Sequence, residues 1–337
     1  MAEGALLEPG DTAWADALAR TDHDVYHLPK YVELDAQLSG GTPAAFRYDE
    51  ADHVLLVPLV LRTIPDTGLR DAVSPYGYPG PISDLSPANT GFWARAARAM
   101  TELLRCHDAI TAFVRLHPLL PAPTVSLERV GTVVRHGETV GIDLTLSPEQ
   151  MWTETHRTHR NQINKSKRAG VEIVFDDWSL LDEWISTYHA TMRRVGATDF
   201  YFFERDHFHR LRAALGSSLH LAVARHEGSV LGGNLFFSHG GIMHTHLQST
   251  RDGHIWWADK LLYHEVRLWG RDRGNRVFHI GGGLGGSDDS LFRYKAAFGS
   301  LRQDFHTWRV ITDPIAYEKL AGPVTAEALA GRFPPYR

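Results

Sequence analysis

One cysteine, Cys106, stands among 337 residues, so no internal disulfide is available and the chain is not a disulfide-stapled secreted domain. The chain opens Met-Ala-Glu-Gly, without the basic and then apolar pattern of a secretory leader. No run reaches the roughly 18 apolar residues of a membrane span, and no segment is low in complexity or repeated at short period. A soluble, cytoplasmic protein is the expectation. Net charge is −5, which excludes a uniformly basic nucleic-acid binder but leaves room for a local basic patch. Nucleophile signatures are missing too: there is no Gly-x-Ser-x-Gly elbow, and Cys106 and His107 are neighbours that point apart on a helix. The twenty histidines are scattered with no His-Glu-x-x-His pattern, and although His244-Thr245-His246 alternates as a strand would, the sequence implies no metal.

What is present is a globular composition, 43% hydrophobic and 22% charged, enough for a sizeable core and one large or two ordinary domains. Helical periodicity covers residues 11–20, and Pro29 is suited to the first turn of a second helix. Residues 46–48 and 54–61 read as strands, the latter too apolar to face water on either side, with Pro58 suggesting a bulge or an edge. Ser74-Pro-Tyr-Gly-Tyr-Pro-Gly-Pro81 reads as an ordered turn segment. A helix near 88–106 and strands at 112–116 and 130–134 complete a first unit. The second half predicts one helix over 149–168, a strand at 171–175, and helices near 180–194 and 203–215. Three antiparallel strands follow at 219–225, 230–238 and 241–248, then a helix over 258–272 with Leu261, Leu262, Val266 and Trp269 inward, and a strand at 277–280. This order is α+β rather than doubly wound.

Two segments carry chemistry. In Phe278-His-Ile-Gly-Gly-Gly-Leu-Gly-Gly-Ser-Asp-Asp-Ser-Leu-Phe-Arg-Tyr-Lys, glycines permit backbone angles that side chains forbid, and Ser287, Asp288 and Asp289 are candidate caps for a helix starting near Leu291. On that helix Leu291, Tyr294, Lys295 and Phe298 share a face, so Lys295 either snorkels past the core or points its charge into a pocket. The glycine run lacks the Gly-Lys-Ser/Thr ending of a phosphate loop and a dinucleotide-binding context. The second segment, residues 156–168, holds Arg157, Arg160, Lys165, Lys167 and Arg168 with no acid. It reads equally as a solvated helix face or as a phosphate-binding surface.

Several segments, in this order, resemble the FemABX-type aminoacyl-tRNA-dependent transferase branch of the GNAT acyltransferase superfamily. They are Tyr26-x-x-Pro29-Lys30-Tyr31, the 74–81 segment with Asp84, Phe113-Val-Arg-Leu-His-Pro118, His159-Arg160 through Gly170-Val171, Thr191-Met192, Gly232-Gly233, Trp257-Ala-x-x-Leu261-Leu262, and Phe278-His-Ile-Gly-Gly-Gly283 followed by Phe292-x-Tyr294-Lys295-x-x-Phe298-Gly299. The resemblance implies two tandem GNAT-like domains with mixed, largely antiparallel sheets: residues 1–145, on which the tail 306–337 packs back, and residues 146–305. It implies transfer of an amino acid from aminoacyl-tRNA, the donor substrate in place of any cofactor, to an amine of a peptidoglycan precursor or a small peptidic metabolite.

Lys295 then stands near the reacting ester, stabilising the tetrahedral oxyanion or the departing ribose oxygen. Lys30 and Arg205 match acceptor-phosphate positions, and Tyr78, His246 and Tyr294 match substrate-binding positions. Asp84 orients or deprotonates the attacking amine, or is simply a helix N-cap. Arg157, Arg160, Lys165, Lys167 and Arg168 become the tRNA surface. The chain lacks the long charged hairpin after Leu180 found in longer members. Gln248-Ser-Thr-Arg251-Asp-Gly253-His also departs from the phosphate loop by which GNAT enzymes hold coenzyme A. An N-acyltransferase using acyl-CoA or acyl-carrier protein, and a non-catalytic module binding tRNA or peptide, are the alternatives.

Overall fold

The structure is a computed structural model and describes residues 3–251 and 257–337. The chain divides into two compact units, residues 1–137 with 304–337 and residues 138–303. It leaves the first unit within the strand Thr132–Asp143 and returns to it within the strand Leu301–Ile311. Among the described residues no helix is long and apolar enough to cross a membrane.

In the first unit the strands run Glu3–Leu7, Thr42–Glu50, His53–Thr63, Arg70–Val73, Ala109–Arg115 and Leu301–Ile311 across one sheet. Among these strand pairs of the described residues, Arg70–Val73 and Ala109–Arg115 are parallel and the others antiparallel. The strand His53–Thr63 explains the layering. Leu55, Val57, Leu59 and Leu61 join Phe92, Trp93, Met100 and Leu104 of helix Thr90–Cys106 on one face. Val54, Leu56 and Val60 join Trp14, Leu18 and Val32, from helices Thr12–Arg20 and Pro29–Ser39, on the other. A strand covered on both faces needs an unbroken apolar run, which this one has. Pro58 makes no bulge: it pairs with Ala45 inside the sheet. On the strand's other flank, pairing covers residues 55–56 and 60–63, so Pro58 lies opposite a stretch where a missing N–H breaks no ladder.

The 74–81 segment is held from behind. Asp24, wholly buried, accepts from Tyr26 N–H at 3.0 Å and from His117 Nε2 at 2.8 Å, while His27 Nδ1 accepts from Asp24 N–H at 3.3 Å and His27 Nε2 donates to the Gly80 carbonyl at 3.1 Å. Tyr31 donates to the Tyr76 carbonyl at 2.8 Å, and Tyr76 N–H to Asp35 at 3.0 Å. Gly77 has φ +104°, and a Cβ there would overlap the Tyr26 ring.

In the second unit the order is Thr132–Asp143, Val277–Gly282, Ile242–Thr250, Ser229–His239, Leu219–His226 and Glu172–Phe175, again with a single parallel pair, Ile242–Thr250 with Val277–Gly282. Helix Ala258–Asp272 packs Leu262, Tyr263, Val266 and Trp269 against Ala222, Phe236, Met243 and Phe278. Helix Leu181–Arg194 packs against the strands Ser229–His239 and Ile242–Thr250, where Gly233 leaves room for the Trp184 indole. Each unit thus places an antiparallel meander, a helix and a strand parallel to the meander's last member in the same order. The helix expected over 149–168 is two helices, Pro148–Glu154 and Arg157–Arg168. Extended Thr155 and His156 separate them; His156 accepts from Thr158 N–H at 3.3 Å and donates its own N–H to the Ala297 carbonyl at 2.8 Å.

Gly77→Ala should cost roughly 2–4 kcal/mol, the sum of a left-handed alanine and an overlap with Tyr26. Gly68→Ala, also at positive φ (+70°) but in open space, should cost only about 1–2 kcal/mol. Urea unfolding of the two variants gives the comparison, and equal midpoints contradict it.

Candidate active site

The parallel pair of the second unit opens at one end. Ile242, Met243 and His244 pair with Val277, Phe278 and His279, and beyond these the described residues of the two strands no longer pair with each other. The strand Val277–Gly282 shifts register between His279 and Gly281, where Gly281 has φ +75°. Backbone groups near the ends of both strands are therefore left without a partner in the facing strand.

Lys295 reaches this opening. Asp289 caps helix Ser290–Ala296 by accepting from Phe292 N–H at 2.8 Å, and its other oxygen accepts from Leu284 N–H at 2.9 Å. These backbone bonds hold the Asp289 carboxyl below the ordinary carboxylate range. A Cβ on Gly283 would overlap the Ser287 carbonyl. The glycine loop is thus a turn closed on Asp289, and the helix it delivers points Lys295 back so that Nζ donates to the Gly282 carbonyl at 2.7 Å. Burial pushes the lysine down to about 8, opposed by the nearby Asp289. The expected face is only partly buried: Tyr294, Lys295 and Phe298 turn inward, whereas Leu291 is 38% exposed and Phe292 packs on the core in its place.

Around Tyr294 lies a polar cluster that the sequence analysis does not single out. Lys260 Nζ donates to Asp259 Oδ2 at 2.7 Å and sits 4.9 Å from the centre of the Tyr294 ring. Asp259 and Lys260 are 9% and 7% exposed, unusual for two charges in the first turn of a helix. Tyr263 donates to Gln248 Oε1 at 2.9 Å. The sequence signal is Lys260, Tyr263, His264 and Arg267, a polar stripe at spacings of three and four on a helix that is buried along its length.

The basic helix Arg157–Arg168 packs on helix Ala258–Asp272 through buried His159 and Ile163. His159 lies 5.3 Å from the Tyr294 ring and 4.6 Å from Phe298. Lys165 stands over the Trp257 ring at 4.7 Å, directly before the helix start, and Lys167 pairs with Glu265 at 2.9 Å. Arg157 and Arg168 are exposed and Arg160 is half-buried.

The other sequence-derived residues lie elsewhere. Arg205 is exposed and doubly bonded to Asp182, whose carboxylate raises its pKa. His246 packs 4.5 Å from Phe237. In the first unit Lys30 is exposed and pairs with Glu33 at 2.9 Å, and Tyr78 meets Tyr26 and Phe305 edge-on. Asp84 accepts from Arg20 at 2.8 Å and from Val54 N–H at 3.0 Å, the contacts of a loop anchor. It caps no helix, since helix Thr90–Cys106 begins after Asn89. Within the segment 248–254, residues 252–254 lie outside the described residues.

Residues 153–296 match the family described as acetyltransferase (GNAT) domain. The fold is similar to that of FemX, with a TM-score of 0.72 at 11% identity over 90% of this chain and 96% of that one. It is also similar to L-PGS from Bacillus licheniformis (TM-score 0.57, 12% identity, 91% and 93% covered). A conserved protein of unknown function from Bacteroides thetaiotaomicron is comparable (TM-score 0.58, 10% identity, 92% and 100% covered). No curated protein sequence matches the chain. The chain therefore has a FemX-like α+β fold, with a match to a GNAT acetyltransferase domain over residues 153–296.

Four histidines of the second unit are held neutral by burial: His159 and His207 are pushed down to about 4, His246 and His264 to about 3. Neighbouring cations or histidines add to each shift, Lys260 at His159 and Arg267 at His264 among them. An unfolded histidine takes up its proton near pH ~6.5. Below that the unfolded chain gains protons that the folded one refuses, so stability is full above about pH 6.5 and is lost as pH falls toward 4. Urea midpoints at pH 7.5, 6 and 5 should fall in that order, and an unchanged midpoint contradicts the assignment.

Proposed function

We propose that the protein is an aminoacyltransferase that forms an amide bond by moving an amino acid from aminoacyl-tRNA to an amine of a peptidoglycan precursor or small peptidic metabolite. The observation that carries this reading is Lys295, a largely buried cation at the open end of the parallel strand pair, delivered by a rigid loop. The basic helix packs on the long helix whose start lies beside Lys165, and a helix N-terminus with adjacent cations suits the phosphates of a tRNA 3′ end.

In the reaction the acceptor amine attacks the ester carbonyl, the C–N bond forms, the ester C–O bond breaks, and the amine's proton ends on the ribose oxygen. The Lys295 ammonium stabilises the negative charge that develops on the carbonyl oxygen or on the departing ribose oxygen. Arg157, Arg160, Lys165, Lys167 and Arg168 serve the tRNA backbone. The match of residues 153–296 to an acetyltransferase domain favours one second reading, an N-acyltransferase using acyl-CoA or acyl-carrier protein.

Incubation with charged tRNA and candidate amines should yield an amide whose formation is abolished by RNase. Product that survives RNase and requires acyl-CoA decides for the second reading. Lys295→Ala should lower the rate roughly 10²–10³-fold with the fold intact, whereas a non-catalytic binding module has no rate to lose. Because the ammonium acts, the rate should be full below about pH 8 and decline as pH rises through it, measured with single-turnover transfer.

A further inference from the structure

Thr191, of the Thr191-Met192 motif, ties helix Leu181–Arg194 to the end of the strand Ile242–Thr250. This helix lies on the sheet face opposite helix Ala258–Asp272. Trp184 packs over Gly233, while Phe236, three residues along the same strand and so on its other face, packs against Trp269 at 5.2 Å. Thr250 donates its backbone N–H to Thr191 Oγ1 at 3.0 Å, and Arg194 Nη2 donates to Thr250 Oγ1 at 2.6 Å. Arg251 N–H pairs back with the Leu231 carbonyl, so the Thr250 N–H points to the side from which the strand Val277–Gly282 has parted. Thr191 supplies the partner missing there and fixes the end of its helix beside the opening.

Two arginines come with it. Arg193 and Arg194 are exposed and neither pairs with an acid among the described residues, whereas Lys167 is held by Glu265 and Arg205 by Asp182. Arg194 gives one of its five donors to a neutral hydroxyl, which leaves most of the fork for a ligand. The chain then runs through residues 195–203, which hold one acid, Asp199, and four aromatics. Phe200 is 50% exposed, and its ring meets Tyr201 at 5.2 Å and Phe203 at 5.7 Å, both edge-on. It is held in place with half its surface open. On the other face of the sheet, Lys165 of the basic helix stands 4.7 Å from the Trp257 ring. Cations thus approach the start of the long helix from both faces, one at Thr250 and one at Trp257. Arginines without acids beside a held, open aromatic suit single-stranded RNA, whose phosphates take the guanidinium groups and whose bases take the ring.

We propose that Arg193, Arg194 and Phe200 form a second RNA-contact surface for the donor, on the sheet face opposite the basic helix. The proposal rests on the aminoacyl-tRNA reading and deepens it. The single-stranded 3′ end of the tRNA is gripped from both faces of the sheet as it enters the opening. The two arginines take its phosphates, and the Phe200 ring stacks on one of its bases. Thr191 positions this surface through the Thr250 backbone.

The test is filter retention of bulk tRNA by the full-length protein across a salt series. Arg193→Gln and Arg194→Gln should each weaken retention roughly three- to tenfold. Each should also flatten the plot of log affinity against log salt by about 0.7–1, the signature of one lost phosphate contact. Arg193 makes no side-chain hydrogen bond among the described residues, so its variant keeps the fold. Arg210→Gln removes the same charge from an arginine paired with Asp206 and should do neither. Phe200→Ala should weaken retention roughly five- to a hundredfold with the slope unchanged. On tRNA trimmed of its single-stranded 3′ end, the wild type and Arg194→Gln should bind alike. Arginine variants that behave as Arg210→Gln, an unchanged affinity in Phe200→Ala, or a loss in Arg194→Gln that persists on trimmed tRNA overturns this surface and leaves tRNA binding standing. Poly-glutamate retained more tightly than tRNA, and released by Arg194→Gln, assigns the surface to an acidic protein and overturns it too. No retention of tRNA by the wild type overturns the aminoacyl-tRNA reading itself.

Discussion

The second unit is organised around one buried cation. Arg267 is fully buried, and its guanidinium donates to the Met151 carbonyl at 3.2 Å, to Thr155 Oγ1 at 2.8 Å and to the Phe298 carbonyl at 3.2 Å, with His264 at 2.9 Å. Burial lowers its pKa to about 10, so it is still charged at neutral pH. Its hydrogen-bond partners are neutral oxygens and an imidazole, with the Glu154 and Glu265 carboxylates acting only from a distance. A planar fork of donors is suited to this, because it binds several chain segments at fixed angles. The segments it joins are the turn that begins the basic helix, the stretch just after the lysine-bearing helix, and the long helix between them. The cost of taking the charge out of water is met by locating three functional elements with one side chain.

Much of the scaffold is legible in the sequence wherever local chemistry and tertiary packing agree. Helix Ala258–Asp272 follows from its apolar stripe, Pro29 opens its helix, and Asp289 caps the lysine helix. The segment 149–168 misleads because helical propensity continues through Thr155 and His156. The break is imposed by Arg267 and the Ala297 carbonyl, which are distant in sequence. Leu291 misleads for another reason. A seven-residue helix is too short for its apolar spacing to fix which face is inward, and Phe292 fills the core instead.

The site is less legible than the scaffold. Lys295 stands out because a lysine on an inward stripe beside glycines is locally anomalous. Asp259 and Lys260 do not, because an adjacent acid and base at a helix start look like ordinary surface charge. Only their burial reveals them, and burial is a property of the assembled fold. The candidate acceptor residues illustrate the reverse: Asp84 and Arg205 are conspicuous in sequence and are engaged in ion pairs with Arg20 and Asp182.

The strand His53–Thr63 carries a further consequence, one that concerns the chain before it has folded. Val-Leu-Leu-Val-Pro-Leu-Val-Leu has no charge and high β-propensity, the composition that stacks into intermolecular zippers when exposed. Covering it on both faces requires helices from either side of it in sequence, so it waits during synthesis for partners not yet made. Pro58 interrupts the run near its middle, where a stacked strand would need an N–H on every layer. The native sheet tolerates that interruption because the strand's far flank is unpaired there. One proline thus acts as a gatekeeper against self-association, at a position where the finished sheet loses no hydrogen bond.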